Sequence, residues 1–226
     1  MNRVIQSELL NSFSFIQHGF LTRHFGTDQV KGISVRSVCR VKQVHGNTVA
    51  HVTDLNQLPK LRQTEADIII TKIPDTALII STADCVPLLF CDPIKKVIAA
   101  AHAGWRGTAK EVAKTTVQAM IELYHCDPKN IGVAIGPAIQ YCCYEVDSKV
   151  YDSFSEKEFF KPVPKKKGHW TLSLSQLNHY QLIRSGILDE NIWISTLCTA
   201  CHTDQFYSYR KEGDKASRQW SYIALR

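Results

Sequence analysis

Short runs of β-branched and apolar residues crowd the first half of this chain and leave little room between them. SVCRV (37–41), NTVAHV (47–52), ADIII (66–70), ALIIST (77–82), VPLLF (86–90) and KKVIAAA (95–101) each read as a sheet strand. Several are joined by connections too short for a helical crossover, which parallel neighbours would need. The pattern therefore predicts an α+β fold with mixed or antiparallel sheets, not a doubly wound parallel sheet. Thr108 to Tyr124 places Val112, Ala113, Val117, Met120, Ile121 and Tyr124 on one helical face, and Thr108 with Glu111 has capping-box spacing. Further on, NIGVAIG reads as a strand and SLSQLNHYQLIRSG as a helix stopped by Gly186. ENIWISTL, QFYSYRK and RQWSYIAL read as strands.

A chain of 226 residues that is 44% hydrophobic can bury a large core. No linker-like stretch and no repeat divides it, so residues 1–226 are expected to form one domain. The opening segment lacks a signal-peptide pattern, and no apolar run approaches the ~20 residues that span a bilayer. A cytoplasmic location without membrane contact is expected. Eight cysteines in that setting point to thiols or metal ligands, not disulfides. The net charge of +6 includes one dense run, Lys165, Lys166 and Lys167, which reads as a solvated loop. No nucleic-acid partner is expected, while a mild positive field suits an anion such as phosphate.

Three polar residues interrupt or end apolar strands: His45 in VKQVHGNTV, Cys85 in STADCVPLL and His102 in IAAAHAGWRG. Two imidazoles and one thiolate form a set that zinc accepts, with a fourth tetrahedral position left open for water or substrate. Their spacing matches no local zinc motif, so convergence has to come from the fold. Each also reads as an ordinary core residue when taken alone. After His102, the turn Gly104-Trp105-Arg106-Gly107 offers backbone donors and a guanidinium to an anion, and reads equally well as a tight strand-to-helix turn. Asp84 is either a turn residue or a carboxylate that orients a ligand. CTACH (198–202) has the CxxCH form of a haem attachment site, which the missing export signal opposes. A zinc ribbon would need a second CxxC, and Cys142 and Cys143 are adjacent instead. The CTAC pair is therefore expected to be structural or mildly redox-reactive.

Together KQVHG, ADCVPLL, AAAHAGWRGT, IGPAIQYCCYEV and CTACxxxxFYSYR resemble the YfiH-like family, described both as a polyphenol oxidase or laccase domain and as a purine nucleoside phosphorylase. The resemblance runs from Gly19 to Arg218. It implies a single-domain layered α/β/β/α sandwich with mixed sheets and a zinc site on His45, Cys85 and His102, which would also be the catalytic residues; copper's affinity for the same three donors makes it the alternative metal, and a monomer is expected. It further implies phosphorolysis of adenosine, inosine, guanosine and methylthioadenosine, with adenosine deaminase activity. Arg23, at the position of the family's S-T-R motif, and Tyr209 with Arg210 would contact substrate, and Arg106 joins them through the anion turn. The chain departs from the family after Arg23, where His24, Phe25, Gly26 and Thr27 replace a glycine-rich stretch, and at Lys211, where arginine is usual.

Three rivals stand beside this reading. A copper polyphenol oxidase fits poorly with nine histidines, no HxH and only Met1 and Met120 as methionines. An amidase acting on a cell-wall precursor would use Cys85 as nucleophile and His102 as base. A zinc-stabilised binding protein would show a fourth protein ligand.

Overall fold

A computed structural model describes residues 4–25 and 35–226; Gly26 and Thr27 lie outside the described residues. Its strands are β1 (Ile16–Phe20), β2 (Ser37–Cys39), β3 (Val49–Val52), β4 (Ile68–Thr71), β5 (Thr76–Thr82), β6 (Val86–Asp92), β7 (Val97–Ala103), β8 (Gly132–Ile135), β9 (Glu145–Asp147), β10 (Phe160–Pro162), β11 (His169–Leu172), β12 (Ile192–Ile194) and β13 (Gln219–Leu225). They form a six-stranded sheet in the order β12-β8-β6-β7-β4-β3, a four-stranded sheet β1-β13-β5-β2 and a small sheet β10-β11-β9. Both larger sheets are mixed, since β3–β4, β8–β12 and β2–β5 pair parallel while their other neighbours pair antiparallel. The α+β reading with mixed sheets holds.

The six-stranded sheet is buried on both faces, which is why VPLLFCD and VIAAAHA read as unbroken apolar runs instead of alternating ones. Leu88, Phe90, Ala99 and Ala101 face the helices Val112–Tyr124 and Leu174–Arg184, while Leu89, Cys91, Ile98 and Ala100 face the four-stranded sheet. The alanines of β7 matter here. Their small side chains let Val112, Ala113, Val117 and Met120 of the helix settle close to the strand. On the outer face of the four-stranded sheet, Ala77, Ile79, Tyr222 and Ala224 with Val38 and Trp220 of its strands pack against Val4, Phe25 and Val35. None of the described helices is long and apolar enough to cross a membrane.

Two sequence expectations need correction. The helix does not start at a Thr108–Glu111 capping box: Trp105–Ala109 is a separate short helix, and the chain restarts at Val112 behind Glu111 in a left-handed conformation (φ 56°). Thr108 is buried and its hydroxyl accepts from Asn178 at 3.0 Å, so it serves the neighbouring helix, not a cap. Likewise QFYSYRK is not a strand. Its Tyr209–Glu212 portion is helical, because Glu212 reaches back to the Ser208 amide at 2.9 Å and closes a turn that alternation could not foretell. Gly186 does stop its helix, with φ 91°. Lys165, Lys166 and Lys167 are exposed between β10 and β11, with Lys166 paired to Glu145.

Candidate active site

β6 and β7 pair with Pro87 opposite His102 and Val86 opposite Ala103. This register places Cys85, one residue before β6, next to the end of β7, where His102 sits. His45 arrives from the loop between β2 and β3, in a left-handed conformation (φ 61°). The donor atoms of His45, Cys85 and His102 lie within 4.8 Å of one another, and the two imidazole rings meet edge to face at 4.8 Å between centroids. Gly104 has to be glycine at this point: a Cβ there would come within 2.9 Å of the His45 ring and 3.0 Å of Cys85 Sγ.

One carboxylate organises the cluster. Asp67, fully buried at the head of β4, accepts the amides of Val44, His45 and Gly46 at 3.2, 3.0 and 2.6 Å, and so sets the loop that carries His45. It also takes His102 Nδ1 at 2.7 Å, which leaves Nε2 for the cluster. Sequence reading missed Asp67, although a carboxylate heading the apolar run DIII is a visible signal. It assigned the orienting possibility to Asp84, which does other work. Asp84 accepts the Thr199 and Ser208 hydroxyls at 2.6 and 3.0 Å and the Arg210 amide at 2.7 Å, fastening two later segments beside Cys85.

Burial alone would raise the Cys85 thiol. The charge of His102 and its hydrogen bond, with a smaller share from His45, outweigh burial and bring the thiol down to about 6. Burial would likewise lower His102, but the Cys85 charge and the Asp67 bond lift it to about 9. For Asp67, burial pushes upward and the bonds from His102, Gly46 and Val44 prevail, holding it below the usual carboxylate range.

The cluster lies in a cleft of about 810 Å³, the size range of small-molecule sites. Arg40, Arg106, Arg210 and Arg218 line it together with Trp105, Tyr144 and Tyr209. The Arg106 guanidinium stacks on Trp105 at 4.4 Å. Arg210 donates to the Glu145 carbonyl at 2.8 Å. Burial pushes the Tyr144 hydroxyl well up, so it stays protonated at neutral pH. Arg23 is placed elsewhere: it stacks on Tyr207 at 4.6 Å, pairs with Glu212 at 3.0 Å and is not among the cleft-lining residues. Arg40, Trp105, Tyr144 and Arg218 were not singled out as substrate contacts from sequence, since nothing local marks them.

Residues 23–226 match the family model described as multi-copper polyphenol oxidoreductase laccase. The chain belongs to this laccase-like family. Relatives of this laccase-like chain include the purine nucleoside phosphorylase YlmD of Bacillus subtilis (strain 168), 34% identical over 81% of this chain and 69% of that protein. A purine nucleoside phosphorylase of Deinococcus radiodurans is 36% identical over 86% of this chain and 72% of its own length. Among solved structures, Bacillus licheniformis hypothetical protein YfiH superposes with a TM-score of 0.89 at 27% identity, covering 100% of this chain and 97% of that one. YlmD from Geobacillus stearothermophilus gives 0.85 at 27% identity with both chains fully covered. The YfiH resemblance read from the motifs is thereby the family's own. Among the described residues of this laccase-family chain, two groups of side chains are close enough to share an ion: His45, Cys85 and His102, and the set Cys142, Cys143, Cys198 and Cys201.

Proposed function

We propose that this chain is a zinc-dependent purine nucleoside phosphorylase of the cytoplasm, acting as a monomer on adenosine, inosine, guanosine and methylthioadenosine, with adenosine deamination as a second activity. The observation that carries the reading is the meeting of two imidazoles and a thiolate in one cleft with arginines and aromatic rings. The names of the relatives supply the reaction class.

The donor set fits zinc. Mixed nitrogen and sulfur donors suit it, three of them leave a position for substrate, and Asp67 supplies the carboxylate support common behind zinc-bound histidine. When bound, the metal supplies Lewis-acid polarisation to the reacting group. The remaining work falls to the protein. Trp105 and Tyr144 offer faces on which a purine can stack, and the arginines offer charge-assisted bonds to phosphate. As phosphate oxygen attacks the sugar carbon, the carbon–nitrogen bond breaks and the purine leaves with its electron pair, so it needs a hydrogen-bond donor. Tyr144, held protonated, is one such donor within the cleft.

Metal-analysed protein incubated with adenosine, with and without phosphate, tests this. Adenine and ribose phosphate formed only with phosphate are expected, and inosine formed without it reports the deaminase. No turnover of any purine nucleoside by zinc-replete protein overturns the reading. One observation favours a second reading: the donor atoms of Cys85 and His102 lie within 4.8 Å of each other, as the nucleophile and base of a cysteine amidase would. Stoichiometric metal on Cys85 excludes it. Copper on the same three donors, with phenol oxidation, is excluded if copper-loaded protein leaves phenols untouched while zinc-loaded protein cleaves nucleosides.

A further inference from the structure

The CTAC turn does not stand alone. Although 55 and more residues separate them in sequence, Cys142 and Cys143 meet Cys198 and Cys201, and all four sulfurs lie within 4.8 Å of one another. The chain gets there by a bridge between Ala138 and Cys198, reinforced by Thr199 N donating to the Ala138 carbonyl at 3.1 Å. The place of a second CxxC is thus taken by an adjacent pair from another loop, a convergence that the expectation of a structural or mildly redox-reactive CTAC pair did not include.

We propose that Cys142, Cys143, Cys198 and Cys201 hold a second zinc ion, structural and separate from the one in the cleft. Four thiolates complete a closed tetrahedral site, with Zn–S bonds of about 2.3 Å and therefore sulfur–sulfur edges of about 3.8 Å. The sulfurs of Cys142 and Cys143 each stand 3.4 Å from that of Cys201, close to such an edge. A disulfide joins two sulfurs at about 2.0 Å and would single out one partner. Here Cys201 is equidistant from two, an arrangement that fits a shared ion better than one disulfide. The turn itself is shaped for a metal. Cys198 Sγ accepts the Gln140 amide at 3.4 Å, and the Cys201 amide closes the turn on the Cys198 carbonyl at 3.2 Å. Cys198 and Cys143 pack in a small apolar cluster with Ile139 and Ala200, whereas Cys142 and Cys201 are exposed, so core packing does not account for those two joining them.

On binding, the ion displaces the thiol protons and ties the 138–144 segment to the 198–202 turn. Both segments border the cleft: Ile139 and Tyr144 line it, and Thr199 holds Asp84. The second zinc therefore braces one wall of the active site without touching substrate.

Metal analysis of the purified full chain tests the proposal. Wild type is expected to carry two zinc equivalents, the Cys142→Ser/Cys201→Ser protein one, and the Cys85→Ala protein one, with the losses adding in the combined variant. Cobalt-substituted wild type should show a four-thiolate spectrum that disappears only with the Cys142→Ser/Cys201→Ser pair. Thiol mapping on wild type keeps the test open if a variant fails to fold: Cys142, Cys143 and Cys201 should resist alkylation until a chelator is added, then react together. Thiols freely alkylated in the zinc-containing protein, protection removed by reductant and not by chelator, or zinc content unchanged in the folded double variant would each overturn the proposal.

Discussion

The two cysteine-bearing clusters are built in opposite ways. His102 ends a buried strand, Cys85 precedes one and His45 comes from a loop; one fully buried carboxylate grips both the His45 backbone and the His102 ring, and the three donors open onto a cleft. The four thiols Cys142, Cys143, Cys198 and Cys201 come from loops, have no carboxylate among them and leave two members exposed. A rigid site with a donor missing is suited to holding a metal against substrate, whereas a loop site with a full donor set is suited to holding loops together.

The sharpest way to break that contrast is to cut one thiol from each cluster. On the proposed zinc chemistry, removing a metal donor in the cleft forfeits several kcal/mol of transition-state stabilisation, on the order of 10³-fold in rate, so Cys85→Ala is expected to lose phosphorolysis by about that factor. Cys142→Ser should change kcat/KM by less than about 10-fold, a shift worth ~1.4 kcal/mol. Equal losses in steady-state assays would erase the distinction. Next in size is the carboxylate that only the first cluster has. Asp67→Asn should weaken metal affinity or activity by about 10 to 100-fold, the usual cost of losing such support. Competition against a chromogenic chelator reads it, and an unchanged affinity would mean that the strands alone position the donors.

A smaller effect belongs to the cleft wall. Arg106 is exposed and lies over Trp105, so Arg106→Ala should raise the KM for phosphate by about 10-fold, the low end for a charge-assisted bond. A phosphate dependence that stays as it was would move the anion to Arg40 or Arg210. The least effect on either cluster comes from His18, which is buried and whose Nε2 accepts the Ser7 amide at 2.9 Å, a role for the unprotonated ring. Burial pushes it down to about 4, below its ordinary 6.5. Its contribution is therefore complete above pH ~6.5 and is lost as pH falls toward ~4, at most on the order of 3 kcal/mol. Denaturant titrations across that range should show the loss in wild type and a flatter profile in His18→Gln. Zinc content measured alongside tells global loosening from loss at either cluster.

The same contrast explains what the sequence made visible. β4 to β7 were legible because strands covered on both faces must be apolar throughout, and polar residues at their ends, Cys85 and His102, then stand out. Asp67 was passed over because its role depends on three amides brought from residues 44–46, a contact that no local pattern encodes. The four-thiol set was hidden for a similar reason: adjacent Cys142 and Cys143 match no ligand spacing until the Ala138–Cys198 bridge lays one loop against the other. The strands of the β10-β11-β9 sheet escaped too, being three or four residues long and half exposed.

Asp67 grips the loop at residue 45 through backbone amides, not through the side chain that the loop presents. The shape of the loop is thus stored apart from the identity of the ligand it delivers. Because the left-handed backbone at 45 is one that asparagine and aspartate adopt more readily than most residues, an oxygen donor could replace the imidazole there without rebuilding the scaffold. On the proposed metal site, the position would serve as an interchangeable socket, through which the hardness of the donor set could be changed without disturbing the loop.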